Sequence, residues 1–312
     1  MEKKRAERNR TLTVSLEEYA FLREKLIVSD KYSFFSLSDI KNSVIHGDFF
    51  QTAAKLPHNT VDLLIADPPY NLTKNYHGST FNARSDETYK EFTRSWIEAC
   101  LPLLKKDASI YVCCDWKSSP GIYDVLKDYL TVQNRITWQR EKGRGAQSNW
   151  KNSLEDIWFA TAGNSYYFNC DAVKQKKKVI APYKENGEPK DWKETESGKF
   201  RLTCASNFWD DISIPFWSMS ENTDHPTQKP EKLLAKLILA SSKPGDFIFD
   251  PFAGSGSTFA AAKKLGRLFS GIEQNEEYCL WAAKRIQKAE TDSAIQGYYD
   301  GVFWERNSRP NT

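Results

Sequence analysis

Two short stretches carry residue types suited to chemistry. Asp67-Pro68-Pro69-Tyr70 sets a carboxylate, two prolines and an aromatic ring in succession, and Asp250-Pro251-Phe252-Ala253-Gly254-Ser255-Gly256 is a glycine-rich turn. The first suits a planar ring bearing an exocyclic amine. Such an amine is a poor nucleophile, because its lone pair is delocalised into the ring. Asp67 can accept one amino hydrogen, and the carbonyl of Pro68, held by the neighbouring pyrrolidine, can accept the other. Both contacts favour a more tetrahedral nitrogen and the positive charge that develops as it attacks, so fixed acceptors stabilise the transition state. Tyr70 adds a stacking face for a base lifted from its helix. In-line approach to an electrophilic methyl carbon supplies the rest through orientation.

The glycine loop points to the methyl donor. Gly254 and Gly256 remove side chains that would block close approach of backbone to a ligand. A carboxylate about 20 residues further on, at the end of the next strand, can hold ribose hydroxyls. Glu273 closes the run Phe269-Ser270-Gly271-Ile272 at that spacing. A dinucleotide would ask for a third glycine and a pyrophosphate at the helix start, but Ser257-Thr258-Phe259 follow instead. A cofactor with a ribose and no phosphate fits better, and S-adenosylmethionine is one. Taken singly, each loop has a plain explanation as a tight turn, with Glu273 a surface carboxylate. Together, each behind an apolar strand, they point to methyl transfer onto an amino nitrogen.

These loops need a scaffold, and the pattern supplies one. Apolar runs at 61–66 and 246–249 precede the two loops, and 44–46 leads to Gly47-Asp48. Residues 87–104 carry Tyr89, Phe92, Trp96, Ile97, Cys100, Leu103 and Leu104 at helical spacing. A buried strand is expected at 109–114, a helix at 118–130, and strands at 131–138 and 154–160. Strands alternating with helices predict a mostly parallel sheet covered on both faces. The alternation stops at 162–224, an irregular stretch that reads as an insertion. It returns with a helix from Pro230, a strand before the glycine loop, a short helix from Ser257, a strand at 267–272 and a last helix capped by Asn275. Near the start, residues 11–14 alternate like a strand and Ser15 caps a helix whose face is Leu16, Tyr19, Leu22 and Leu26.

Bulk properties bound the function classes. The chain has 312 residues, 40% hydrophobic and 27% charged, as expected of a soluble protein with a substantial core. Its apolar runs are too short to span a membrane and no secretory pattern opens it, so the cytosol is the expected compartment. Six cysteines form no C-x-x-C pair, which points to reduced thiols and no metal site. Lys3, Lys4, Arg5, Arg8 and Arg10 crowd the start, and Lys174, Lys176, Lys177 and Lys178 form a second basic run. Such runs are solvated faces or phosphate contacts. Ten tryptophans include Trp150, Trp192, Trp209 and Trp217 outside the regular strands, where they can pack or stack on bases.

Asp67-Pro68-Pro69-Tyr70, His225-Pro226-Thr227-Gln228-Lys229-Pro230 and Phe252-Ala253-Gly254-Ser255-Gly256, in this order, resemble the beta-class DNA amino-methyltransferases of restriction-modification systems. The resemblance spans about residues 44–290. It implies an α/β, Rossmann-like, doubly wound methyltransferase fold with an inserted target-recognition region. The implied layout is a catalytic half at 44–161, target recognition at 162–222 and a cofactor half at 223–290; a basic arm and helix at 1–43 and an extension at 291–312 fall outside the resemblance. It implies catalysis by Asp67, Pro68, Pro69 and Tyr70. It implies cofactor contacts at Asp48, Thr227, Gln228, Lys229, Pro230, Asp250, Phe252, Ala253, Gly254, Ser255, Gly256 and Glu273. Lys174, Lys176, Lys177 and Lys178 become candidates for contacting double-stranded DNA. A homodimer and a cognate restriction endonuclease are the further partners of such enzymes.

In that family, aspartate in first position of the catalytic loop leans towards adenine N6 and serine towards cytosine N4. Cytosine N4, another nitrogen acceptor such as RNA or a glutamine side chain, and a non-catalytic DNA-binding protein stay open as alternatives. Cytosine carbon-5 methylation is excluded, because it needs a nucleophilic cysteine after a proline and no cysteine here follows one. The basic strand and helix at the start faintly resemble a ribbon-helix-helix DNA binder.

Overall fold

Strands buried on both faces need unbroken apolar runs, and the centre of this molecule is built from such runs. A computed structural model describes residues 6–76, 79–140, 148–179, 183–195 and 198–305. Within them one nine-stranded sheet comprises β1 (Ile27–Val28), β2 (Ser43–His46), β3 (Val61–Ala66), β4 (Leu104–Cys114), β5 (Thr131–Gln139), β6 (Leu154–Thr161), β7 (Phe208–Trp209), β8 (Phe247–Asp250) and β9 (Leu268–Glu273). The spatial order is β1-β2-β9-β8-β3-β4-β6-β5-β7. Only β6 runs against the others. The mostly parallel sheet expected from the sequence is therefore present.

Helices cover both faces: α1 (Leu16–Glu24), α2 (Leu37–Ile40), α3 (Phe49–Ala53), α4 (Asp86–Cys100), α5 (Ser119–Tyr129), α6 (Glu231–Ser241), α7 (Ser257–Lys264) and α8 (Glu276–Lys288). Alternate residues of β3 serve the two sides, as a pleated strand requires. Leu63 and Ile65 pack with Leu233, Leu237, Phe259 and Cys279 of α6, α7 and α8. Leu64 and Ala66 pack with Ala53, Trp96 and Val125 of α3, α4 and α5.

Local differences from expectation have local causes. α4 ends at Cys100, short of the expected 104, because Pro102 cannot donate to a helical turn; residues Leu101–Leu103 form a 3₁₀ turn and β4 starts at Leu104. Residues 11–14 form no strand. The Arg10 and Leu12 N–H groups instead donate to the carbonyls of Trp217 and Asn222. With no ribbon, the ribbon-helix-helix resemblance fails. Ser15 does cap α1, with Glu18 closing the capping box. Leu22 and Leu26 are buried, but Leu16 is 95% exposed. α1 is tied to α8 by Arg23 to Glu276 at 2.6 Å and Lys284 to Glu18 at 2.6 Å. β1 then adds an edge strand beside β2. The described part of the N-terminal segment thus belongs to the main body; Lys3, Lys4 and Arg5 lie outside the described residues.

The stretch at 162–222 is more regular than its sequence. A second sheet orders its strands as Lys193–Thr195, Gly198–Thr203, Gln175–Lys178, Val302–Trp304 and Tyr298–Tyr299. Residues from the C-terminal segment complete this sheet, and Phe208–Trp209 joins the large one.

Candidate active site

β3 and β8 are parallel neighbours, with Ile248 opposite Leu63 and Phe249 opposite Leu64. Asp67 and Asp250 therefore leave the sheet side by side at its C-terminal edge, where open parallel sheets bind ligands. Both loops open on one cavity of about 270 Å³. Asp48, Asp67, Pro68, Pro69, Tyr70, Thr227, Gln228, Lys229, Asp250, Phe252, Ala253, Gly254, Ser255 and Glu273 line it. Pro230 and Gly256 are not among the lining residues. Pro230 is the N-cap of α6. Gly256 has φ +74°, and a Cβ there would stand 2.5 Å from that of Ala282, so this glycine lets α7 and α8 close together.

The glycine loop is braced by two buried carboxylates. Asp250 Oδ1 accepts from the Phe252 N–H at 3.0 Å and Oδ2 from the Thr258 hydroxyl at 2.5 Å. Glu273 Oε2 accepts from the Gly254 N–H at 2.9 Å and Oε1 from the Asn275 N–H at 2.8 Å. Burial pushes each of these carboxyls up to about 7. Gly254 adopts φ +52°, and a Cβ there would come within 3.0 Å of His225 Nε2, so a side chain would narrow the cavity. Phe252 is held by the rings of Phe49 and Trp96 at 5.4 and 5.6 Å. Asp48 caps α3, accepting from the Gln51 N–H at 3.0 Å.

The catalytic loop is organised differently. Asp67 Oδ2 accepts from Lys229 Nζ at 2.6 Å, while Oδ1 is buried with no hydrogen-bond partner among the described residues. Lys229 also donates to the Tyr70 hydroxyl at 3.2 Å, and that hydroxyl donates to Glu155 Oε2 at 3.1 Å. Arg140 holds Glu155 Oε1. Burial raises the Asp67 carboxyl above the usual carboxylate range against the pull of Lys229. Burial alone would lower Lys229, but Asp67 and Glu155 outweigh it and keep the ammonium charged. Burial also raises the Tyr70 phenol far above its ordinary range, so it stays a donor.

A family model described as DNA methylase matches residues 61–285. The chain is 34% identical over 259 residues to the DNA adenine methyltransferase YhdJ of Escherichia coli (strain K12), covering 81% of this chain and 85% of that protein. It is 32% identical over 259 residues to the Type II methyltransferase M.HpaI of Haemophilus parainfluenzae, covering 82% and 76%. The chain belongs to the DNA methylase family. A solved structure, M1.HpyAVI in complex with SAM, matches with a TM-score of 0.52 at 25% identity and covers 78% of this chain and 98% of that one.

In this DNA methylase the residues of the His225–Pro230 motif divide their work. Gln228 stitches its own loop: Oε1 accepts from the N–H and hydroxyl of Thr223 at 2.8 and 2.7 Å, and Nε2 donates to the Glu221 carbonyl. Lys229, expected among the cofactor contacts, has its ammonium on Asp67. Glu155 and Arg140 were not singled out by sequence; the one signal was the adjacent carboxylates Glu155 and Asp156 near the start of β6.

The lysine run lies on the second sheet. Lys174 pairs with Asp171 at 2.8 Å, and Lys176 sits 4.6 Å from the ring centroid of Phe200 and 4.3 Å from that of Trp304. Lys177 is half-buried and Lys178 exposed. Among the described residues no cluster of His, Cys, Asp and Glu could hold a metal ion, and no helix is long and apolar enough to cross a membrane.

Proposed function

We propose that this DNA methylase transfers a methyl group from S-adenosylmethionine to the N6 amino group of an adenine lifted from double-stranded DNA, at a defined recognition sequence. One observation carries the reading. Asp67 lines the shared cavity, and its Oδ1 is a buried acceptor with no donor among the described residues, while Oδ2 is tied to Lys229. Such an oxygen costs stability unless a ligand completes it, and an amino hydrogen does so.

The cavity chemistry fits the cofactor: Glu273 would accept from ribose hydroxyls and the Gly254 backbone would allow close approach, and Asp48 and Phe252 line the same cavity. When bound, S-adenosylmethionine supplies a sulfonium methyl, so the N–C bond forms as the C–S bond breaks and sulfur keeps the electron pair. Asp67 Oδ1 orients the amino group and takes the proton that N6 must lose, passing it to water. Tyr70 presents its ring to the base, with its hydroxyl fixed between Lys229 and Glu155. Adenine is supported over cytosine by aspartate in the first loop position and by the name of the relative YhdJ. A restriction-modification setting is supported by the relative named a Type II methyltransferase.

On the same reading Lys178, the exposed member of the lysine run, contacts a backbone phosphate. Lys178→Ala then weakens DNA binding and lowers the salt slope by about one; an unchanged slope returns it to the solvent.

The deciding experiment expresses the chain in a methylation-deficient bacterial host, then maps and weighs modified nucleosides against the Asp67→Ala variant. N6-methyladenine confined to one motif and absent from the variant supports the proposal. N4-methylcytosine would move the acceptor to cytosine. Unmodified DNA with folded, cofactor-binding protein would overturn methylation of DNA.

A further inference from the structure

We infer that Glu155 is a positioning residue: it occupies Lys229 and Tyr70 so that one oxygen of Asp67 is tied down and the other is left without a donor, to be completed by the amino group. This rests on the methyl-transfer reading above. An ammonium has three donors. Lys229 donates to Asp67 Oδ2 at 2.6 Å and to the Tyr70 hydroxyl at 3.2 Å, and its ammonium is ion-paired with Glu155 Oε2 at 3.5 Å. The Lys229 charge is thus shared between Asp67 Oδ2 and Glu155, and Asp67 Oδ1 has no hydrogen-bond partner among the described residues. The side chains of Lys229 and Glu155 are 7% and 5% exposed, so water competes little for either.

The charges are paired as well. Asp67 and Glu155 meet Lys229 and Arg140, two carboxylates each in contact with a cation. Buried ions persist when paired in this way, and loss of one leaves the others uncompensated. Without the Glu155 carboxylate, Lys229 is free to swing across both oxygens of Asp67 and cap the acceptor that the reaction uses. The antiparallel course of β6 makes the contact possible, because it brings the start of that strand to the edge where the parallel strands end. The other titratable groups acting on this cluster include Lys74 from the segment after the catalytic loop, Tyr89 on α4, Cys113 and Cys114 on β4 and Asp250 on β8.

The test uses the full chain with Glu155→Gln, which keeps shape and removes charge. The Asp67 carboxyl is followed in cofactor-free protein by carbon-13 NMR, its signal assigned by loss in Asp67→Asn. We expect it to titrate at lower pH in Glu155→Gln, because a neighbouring negative charge is gone. We expect kcat to fall about 10- to 100-fold, with cofactor affinity within about twofold of wild type. Arg140→Met leaves Glu155 uncompensated and should move the Asp67 titration the opposite way.

Wild-type kcat in Glu155→Gln overturns the inference. So does a loss of turnover with the Asp67 titration unmoved, which would mean a merely structural role. Should Glu155→Gln fail to fold, Arg140→Met decides alone, and an unmoved titration there overturns the inference. Wild-type protein that methylates no DNA would defeat the methyl-transfer reading, while the titrations still judge the placement of Asp67.

Discussion

Asp67 and Asp250 stand in equivalent places. Each follows or ends an apolar strand, the two strands are parallel neighbours, a proline comes next, and both line one cavity. Burial raises both carboxyls. They differ in how their oxygens are used. Asp250 has both engaged, by a backbone N–H and a threonine hydroxyl on α7, whereas Asp67 has one in an ion pair and one buried without a hydrogen-bond partner among the described residues. Within this pair, the carboxylate engaged at both oxygens is a brace, and the one left half-used is a tool. The direction of a pKa shift does not separate them, because desolvation acts on both; the count of satisfied oxygens does.

The strongest way to break this comparison is to remove each carboxylate in turn. Asp67→Ala should lower methylation by about 10³-fold, the scale on which a fixed transition-state contact acts, with cofactor affinity within a few-fold. Turnover and calorimetric titration check this, and loss of cofactor binding in Asp67→Ala would contradict the division of labour. Asp250→Ala should instead act on folding. It strands the Thr258 hydroxyl and the Phe252 N–H and opens a void, costing about 3 kcal/mol by denaturant unfolding. Equal stability to wild type would remove Asp250 from its role as brace.

The sequence revealed the two loops and their strands because each element is written locally: an apolar run, then proline or glycine. The caps at Ser15 and Asn275 were legible for the same reason, since a cap is settled within three residues. What the loops do with their oxygens was not legible. Glu155 meets Lys229 only because β6 reverses direction, and no local pattern records that. The second sheet was hidden too. Its strands run from two to six residues with mixed polarity, and Gln175–Lys178 is held partly by Val302–Trp304 from the far end of the chain. The basic run there looked uniform, yet Phe200, Trp304 and Asp171 give its lysines different surroundings.

A smaller effect sharpens the same contrast through pH. Asp250 and Glu273 are raised to about 7 in the folded protein, against about 4 in an unfolded chain. Between those values the folded state holds more protons than the unfolded one, so stability falls as pH rises from about 4 to 7 and then levels. Asp250→Asn cannot titrate at that position. Its unfolding free energy should therefore decline less between pH 5 and 7.5, by on the order of 2 kcal/mol, keeping the shares of Glu273 and of Glu221, whose carboxyl burial also raises to about 7. Parallel pH curves for the two proteins would assign the slope elsewhere.

The smallest change gives Asp250 an open oxygen of its own. Thr258→Val keeps the side-chain shape and deletes the hydroxyl that donates to Asp250 Oδ2. The lost bond should cost about 1 kcal/mol. That hydroxyl also favours the ionised form of Asp250 and holds its carboxyl below where burial alone would put it. Removing it should raise the carboxyl further, so the falling limb of the stability curve extends above pH 7 in Thr258→Val. A limb that stays in place would mean that the hydroxyl does not satisfy Asp250, and the distinction between a saturated and a half-used carboxylate would lose its physical basis.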